Sequence, residues 1–331
     1  MPVRTRVCVR LACGVLAAAP TLALAGCSAE DSGPAAAETR PGSQQPGRDG
    51  GSAPVPTTEK DWKPVADALD RTGTLMDKAV YRVSLPRKDL KVTSHDVEVK
   101  PGLALGGWAA FAKYGDGTMV TGDLVITEDE QPKVTDALQK AGIAQTALHK
   151  HLLEQSPAVW WTHIHGMGDP VRLAKGVKAA LDTTGIPPAS PAPSSQPPID
   201  LDTSAIDSAL GRKGTPDGGI YKFTVARKDP VTDGSHTLPA GLGVYTGINF
   251  QPLGGKKAAI NGDFVTTTDE IQHVIRALRK GGIDLVELHN HTVDEQPRLF
   301  YLHFWATGDG VTLAKSLRPA LDATHPAAPK H

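Results

Sequence analysis

Two halves of the chain carry the same rhythm of apolar and polar positions. Tyr81–Leu85 and Tyr221–Val225 alternate with the period of two expected of strands. Strand patterns follow at Leu105–Ala112 and Val244–Phe250, then at Met119–Ile126 and Ala258–Thr266. The period then lengthens to that of a helix. Thr127-Glu128-Asp129-Glu130 and Thr267-Thr268-Asp269-Glu270 have capping-box spacing, in which hydroxyl and carboxylate satisfy first-turn N–H groups reciprocally. Ile271, Val274, Ile275 and Leu278 mark one helical face, and Gly281 ends it. Two strands joined by a short polar turn with Pro157 or Pro297 come next. A last helix opens at Asp169-Pro170 or Asp309-Gly310, with Asp169 and Asp309 as N-caps and Leu313, Leu317 and Leu321 on the buried side. The order ββββ(β)αββα predicts an α+β fold of two homologous repeats, each an antiparallel sheet with about two helices packed on one face.

The halves are copies. Gly122–Thr184 aligned with Gly262–Thr324 gives 27 identities in 63 positions without a gap, too many for anything but duplication. Upstream the match weakens to Val80-Tyr81-Arg82 against Ile220-Tyr221-Lys222, and Arg87-Lys88-Asp89 against Arg227-Lys228-Asp229. Residues 58–184 and 200–325 are read as repeat domains 1 and 2. The Pro-rich stretch 185–199 between them is read as a semi-extended linker.

Residues 1–26 read as an export address. Arg4, Arg6 and Arg10 precede a short apolar run, Leu11–Leu24, which ends in Leu24-Ala25-Gly26-Cys27. That ending resembles the lipobox of bacterial lipoproteins, with Cys27 as the lipidated thiol. Residues 27–57, rich in Ala, Gly, Ser, Pro and Gln, read as a flexible tether. The expected location is the outer face of the cell membrane, anchored through the lipid on Cys27. Cys8 and Cys13 leave with the signal, so no disulfide is expected and the core must hold the fold. A formal charge of −1 offers no electrostatic case for nucleic acid.

The sharpest chemistry is histidine. His149-Lys150-His151 is followed by His163, and 140 residues later His289-Asn290-His291 is followed by His303. Histidines one residue apart on a strand share a face, and a third on a partner strand completes a facial set of imidazoles suited to a transition metal. In the second hairpin the even positions Val286, Leu288, Phe300, Leu302 and Phe304 are apolar and are expected to face the helices. The odd positions then turn His289, His291 and His303 to the opposite face. Repeat 1 has the same parity and adds His165, where repeat 2 has Trp305. The histidines of each repeat are thus expected to converge, His149, His151, His163 and His165 in the first, and His289, His291 and His303 in the second, with one site or two both open and zinc or copper as the expected ion. Nitrogen ligands alone do not choose between them.

Glu154 and Glu295, in the turn after each His-x-His pair, are the candidate catalytic groups. His289-x-His291-x-x-x-Glu295 resembles the first cupin metal motif, but the element order is not that of a cupin. A solvated turn carboxylate is the plainer reading. Asp123 and Asp263 are candidate acceptors for a histidine N–H, and His95 and His236 sit in loops from which they could approach the cluster.

Ala147-Leu148-His149-Lys150-His151, Glu154-Gln155-Ser156-Pro157 and Thr162-His163-Ile164-His165-Gly166-Met167-Gly168-Asp169-Pro170 resemble the LppY/LpqO family of actinobacterial lipoproteins. The resemblance covers both repeats and the leader. It implies the duplicated architecture and the surface location, and no activity. Lys150 and Met167 in repeat 1, and Phe304-Trp305 in repeat 2, depart from the family pattern. The expected function is therefore a surface lipoprotein binding a transition metal. The alternatives are a metal-dependent hydrolase or lyase using Glu154 or Glu295 to shuttle a proton, and an interaction module with structural histidines, whose protein partner or small-molecule substrate the sequence does not name.

Overall fold

The computed structural model describes residues 52–189 and 195–329. Residues 1–26, read as a signal, and Cys27 with the stretch read as a tether, as far as residue 51, lie outside them. Repeat 1 runs α1 (Lys63–Leu69), β1 (Thr74–Met76), β2 (Val80–Pro86), β3 (Val92–Ser94), β4 (Val97–Val99), β5 (Gly106–Tyr114), β6 (Gly117–Thr127), α2 (Gln131–Ala141), β7 (Ala144–His149), β8 (Gln155–Ser156), β9 (Val159–Gly168) and α3 (Pro170–Leu181). Repeat 2 follows the same order. It comprises α4 (Thr203–Leu210), β10 (Thr215–Asp217), β11 (Ile220–Ala226), β12 (Thr232–Asp233), β13 (His236–Thr237), β14 (Tyr245–Gly254), β15 (Lys257–Thr267), α5 (Thr268–Lys280), β16 (Asp284–His289), β17 (Glu295–Gln296), β18 (Leu299–Asp309) and α6 (Gly310–Asp322).

Each repeat is an antiparallel six-stranded sheet with its helices on one face, ordered β1-β2-β5-β6-β9-β7 and β10-β11-β14-β15-β18-β16. Each also has a small three-stranded sheet, β4-β3-β8 or β13-β12-β17. A third helix per repeat, α1 or α4, packs on the last one. Asp169 and Asp309 cap α3 and α6 through the backbone N–H of Arg172 and Thr312. The Thr267–Glu270 capping box is present. In repeat 1 the helix starts later, at Gln131, because Pro132 has no N–H to give to a turn begun at Glu128.

Between sheet and helices each repeat has its own core. One is built on Phe111, Leu124, Leu138, Ile164 and Leu173, the other on Phe250, Phe264, Leu278, Phe304 and Leu317. The sheet faces turned away from the helices are buried too, because they pack on each other. One apolar cluster joins Val80, Ala112 and Met119 of repeat 1 to Val265, Leu299 and Tyr301 of repeat 2. A second joins Val125, Val159 and Trp161 to Ile220, Ala259 and Trp305. The two clusters are counterparts under the 140-residue offset, so the repeats meet about a pseudo-twofold axis. Segments read as connectors also dock. Ser52 bonds Ser235, Val55 bonds Lys113, and Ile186 is buried in the repeat 1 core.

The strand carrying His-x-His corrects the parity reading. A β-bulge between Leu285 and Glu287, matched between Gln145 and Ala147, shifts the register by one. Leu285 therefore packs on the helix-side core and Val286 on the inter-repeat cluster, while Leu288, paired with Leu302 on the edge strand, lies 48% exposed. Beyond the bulge the expected register holds, with His289 opposite Tyr301 and Glu287 opposite His303.

Candidate metal centre

Strand register builds the centre from the middle of each sheet. Asp123 sits opposite His163 across β6 and β9, and Asp263 opposite His303 across β15 and β18. His149 and His289 end the edge strands β7 and β16, and His151 and His291 lie just beyond. All these side chains leave on the helix-free face. There the sheets meet, so the two histidine sets enter one shared interior.

The cross-repeat contacts are the close ones. Ring centroids lie 3.9 Å apart for His149–His289, 3.8 Å for His151–His303 and 3.8 Å for His163–His291. Within a repeat the separations are larger, 4.8 Å for His149–His163 and 4.8 Å for His289–His303. The two sets, which the sequence allowed to be one site or two, therefore form one composite cluster of six histidines on the pseudo-twofold axis. Ligand atoms of His149, His163 and His289 lie within 4.8 Å of one another, as do those of His149, His151 and His303, and those of Asp263, His289 and His291. Trp161 stacks on His151 at 4.4 Å, and Tyr301, its counterpart, lies face to face with His291.

The hydrogen bonds orient the rings as ligands. His163 Nδ1 donates to the Gly122 carbonyl at 3.1 Å, His303 Nδ1 to Gly262 at 2.8 Å, and His291 Nδ1 to Gly243 at 3.1 Å. The His151 ring N–H likewise donates to a carbonyl, that of Ala104. A ring whose Nδ1 holds the proton has a bare lone pair on Nε2. Gly122 is needed at its carbonyl because a Cβ there would come within 2.7 Å of the Trp108 carbonyl oxygen. The Nε2 atoms of His163, His289, His291 and His303 are buried and have no hydrogen-bond partner among the described residues. The Nε2 atoms of His149 and His151 are 2.9 Å apart, a hydrogen bond donated by His149, whose Nδ1 has no partner among the described residues. At the carboxylates acceptors face acceptors: His291 Nε2 lies 3.1 Å from an Asp263 oxygen, and His151 Nε2 lies 3.3 Å from an Asp123 oxygen. Bare lone pairs at these distances repel unless a cation lies between them. Two nitrogens bound to one zinc at about 2.0–2.1 Å stand roughly 3 Å apart, so the spacing fits a shared ion.

Electrostatics keep the rings neutral, the form that binds metal. Burial and then the neighbouring rings push His149 and His289 well below the ordinary histidine range. Burial likewise lowers His151 and His163. It brings His291 down to about 3, with Asp123 opposing, and His303 down to about 4, with Asp263 opposing. Burial raises Asp263 to about 6, against the pull of His303.

Other expected site residues lie apart from this cluster. His165 pairs with Asp233 of repeat 2 at 2.8 Å, and Trp305 in the equivalent place joins an apolar cluster and stacks on His95. Glu154 is exposed and pairs with His95 at 3.2 Å. Glu295 is buried but engaged by Thr292, Arg298 and the Leu299 N–H. His236 pairs with Asp116. The residues whose carbonyls accept from these rings, Gly122, Gly243 and Gly262, were not singled out from the sequence. The repeated Gly-Asp pair at 122–123 and 262–263 was the signal for two of them.

The chain belongs to the family described as "Domain of Unknown Function (DUF1259)", whose model matches it twice, over residues 63–183 and 204–323. No curated protein matches the sequence. Among solved structures the chain is similar to the trimeric bacterial microcompartment shell protein PduB, at 11% identity over 78% of this chain and 96% of that one, with a TM-score of 0.20. It is also similar to a fused permuted hexameric shell protein of the RMM microcompartment, at 15% identity, 64% and 86% coverage and a TM-score of 0.19. The third is EtuB from Clostridium kluyveri, at 12% identity, 76% and 89% coverage and a TM-score of 0.19. Likenesses this low carry nothing about function.

Proposed function

We propose that the two repeats together bind a divalent transition metal, zinc or copper, in the histidine centre between their sheets, and that the chain does so as a lipoprotein held at the outer face of the cell membrane. The observation that carries the metal reading is the convergence of buried, unpartnered Nε2 atoms whose opposite ring nitrogens are tied to backbone carbonyls. A structural role alone leaves those nitrogens with the full desolvation cost of an unmade hydrogen bond, about 1–3 kcal/mol each. A bound ion removes it. The burial of His149, His163 and His303 supports holding or sensing an ion rather than turning over a substrate, since catalysis needs a coordination position open to one.

Metal analysis and calorimetry on mature, tag-free protein prepared without chelators test this. Uptake of zinc or copper at neutral pH is expected. No uptake of zinc, copper or nickel overturns it and leaves the histidines structural. The anchoring half rests on Leu24-Ala25-Gly26-Cys27 and on the resemblance to LppY/LpqO lipoproteins. Cys27→Ser is expected to abolish labelling by radioactive palmitate. Continued labelling of that variant overturns it.

A further inference from the structure

We infer that the centre holds two ions, each held by the His-x-His pair of one repeat and the single histidine of the other. This rests on the metal reading above and adds the number of ions and their ligands. Two of the close groupings share no residue: His149, His151 and His303 form one, and Asp263, His289 and His291 the other. The 140-residue offset maps each onto the other and supplies what each lacks. Asp123, the counterpart of Asp263, lies 3.3 Å from His151 Nε2. His163, the counterpart of His303, has its ring 3.8 Å from His291 and ligand atoms within 4.8 Å of those of His289. Each set is then three imidazoles and one carboxylate, a complete four-ligand shell for a first-row divalent ion.

Charge points the same way. Asp123 and Asp263 are both buried or nearly so, and among the described residues neither pairs with a Lys or Arg. Two carboxylates enclosed among neutral rings lack compensation, and a buried charge is stable only when paired. Because the two carboxylates are related by the 140-residue offset, a cation seated against one has an equivalent place against the other. Donors that combine imidazole with carboxylate suit Zn2+, Ni2+ or Cu2+ better than a soft monovalent ion.

Zinc titration of the mature, tag-free chain, read by calorimetry and by metal content after desalting, decides the number. Two equivalents per chain are expected. One equivalent overturns this inference and leaves the metal reading standing, and no uptake removes both. Pairs of variants decide the allocation. His151→Ala and His303→Ala should each lose one equivalent, and the double variant should lose no more than either. His151→Ala combined with His163→Ala should lose both. The reverse pattern assigns the ions to separate repeats and overturns the shared ligand sets. Asp123→Asn and Asp263→Asn keep side-chain shape and guard against misfolding. Each should weaken a different one of the two binding steps, and zinc isotherms unchanged in both overturn the carboxylate assignment.

Discussion

The centre and the flanks of the duplicated molecule have kept different things. Close to the pseudo-twofold axis the copies are alike: His149 and His289, His151 and His291, His163 and His303, Asp123 and Asp263, Gly122 and Gly262. Away from it, equivalent positions have separated. His165 answers an aspartate where Trp305 fills an apolar cluster. Arg87 is shared by Asp89 and Glu130, whereas Arg227 has Glu270 as its acidic partner. Geometry accounts for the contrast. A residue on the axis touches its own counterpart, as His149 stacks on His289, so a change in one copy is felt by both. Residues off the axis meet unlike surroundings in the two copies and can change independently.

The largest test of that contrast is acid. In the metal-free protein, burial holds His291 at about 3 and His303 at about 4, against an ordinary value of 6.5. Below 6.5 the unfolded chain takes up protons that the folded centre refuses, so the stabilising contribution is complete above 6.5 and is lost as pH falls toward 4 and 3. At about 1.4 kcal/mol per unit these two rings alone account for roughly 5–10 kcal/mol, comparable with the whole stability of a domain. Four further rings shift the same way. Asp263, raised to about 6, has the opposite sign between 3.8 and 6 and offsets only part. Urea unfolding in a chelator should show stability collapsing between pH 6.5 and 4, with zinc moving the loss to lower pH. A flat profile breaks the claim that the centre is buried and neutral.

The flanks are next. Glu270→Ala leaves the buried Arg227 guanidinium without its acidic partner, and removing one member of a buried pair costs about 3–5 kcal/mol. Glu130→Ala leaves Arg87 paired with Asp89 through two nitrogens, so about 1–2 kcal/mol is expected. Equal losses in denaturant unfolding would show that this divergence has no energetic content.

Much of this was written in the sequence, and the rest was hidden for definite reasons. The α+β class, the duplication and the two N-caps follow from local pattern, and so does the face assignment on β18, where Leu302 and Phe304 meet the helix-side core while Tyr301 and Trp305 meet the other repeat. The bulge near Val286 is a backbone event that alternation cannot register, so Val286 was placed toward the helices when it meets the other repeat. Helices α1 and α4, at seven and eight residues, are too short to declare a period. The sharing of the centre was hidden most deeply. Parity says which face a histidine takes, and it says nothing about what covers that face.

The smallest effect is a coupling, and it asks whether the flanks diverged on a common scaffold. Asp233 pairs with Glu295 across β12 and β17, and Ser94 takes the corresponding place against Gln155 across β3 and β8. Ser94 is therefore the counterpart of the residue that answers His165. Trp305→His should destabilise by about 2–4 kcal/mol, because it opens space in an apolar cluster and puts an imidazole there without an acid. Ser94→Asp alone buries a carboxylate and breaks the bond from the Ser94 hydroxyl to the Leu153 carbonyl. Together the two changes recreate the His165–Asp233 pair in the mirror position, so the double variant should be more stable than the sum of the single losses predicts by about 1 kcal/mol. Strict additivity in a double-mutant cycle would mean that the small sheets of the two repeats no longer present equivalent positions, and that the likeness of the copies ends at the histidines.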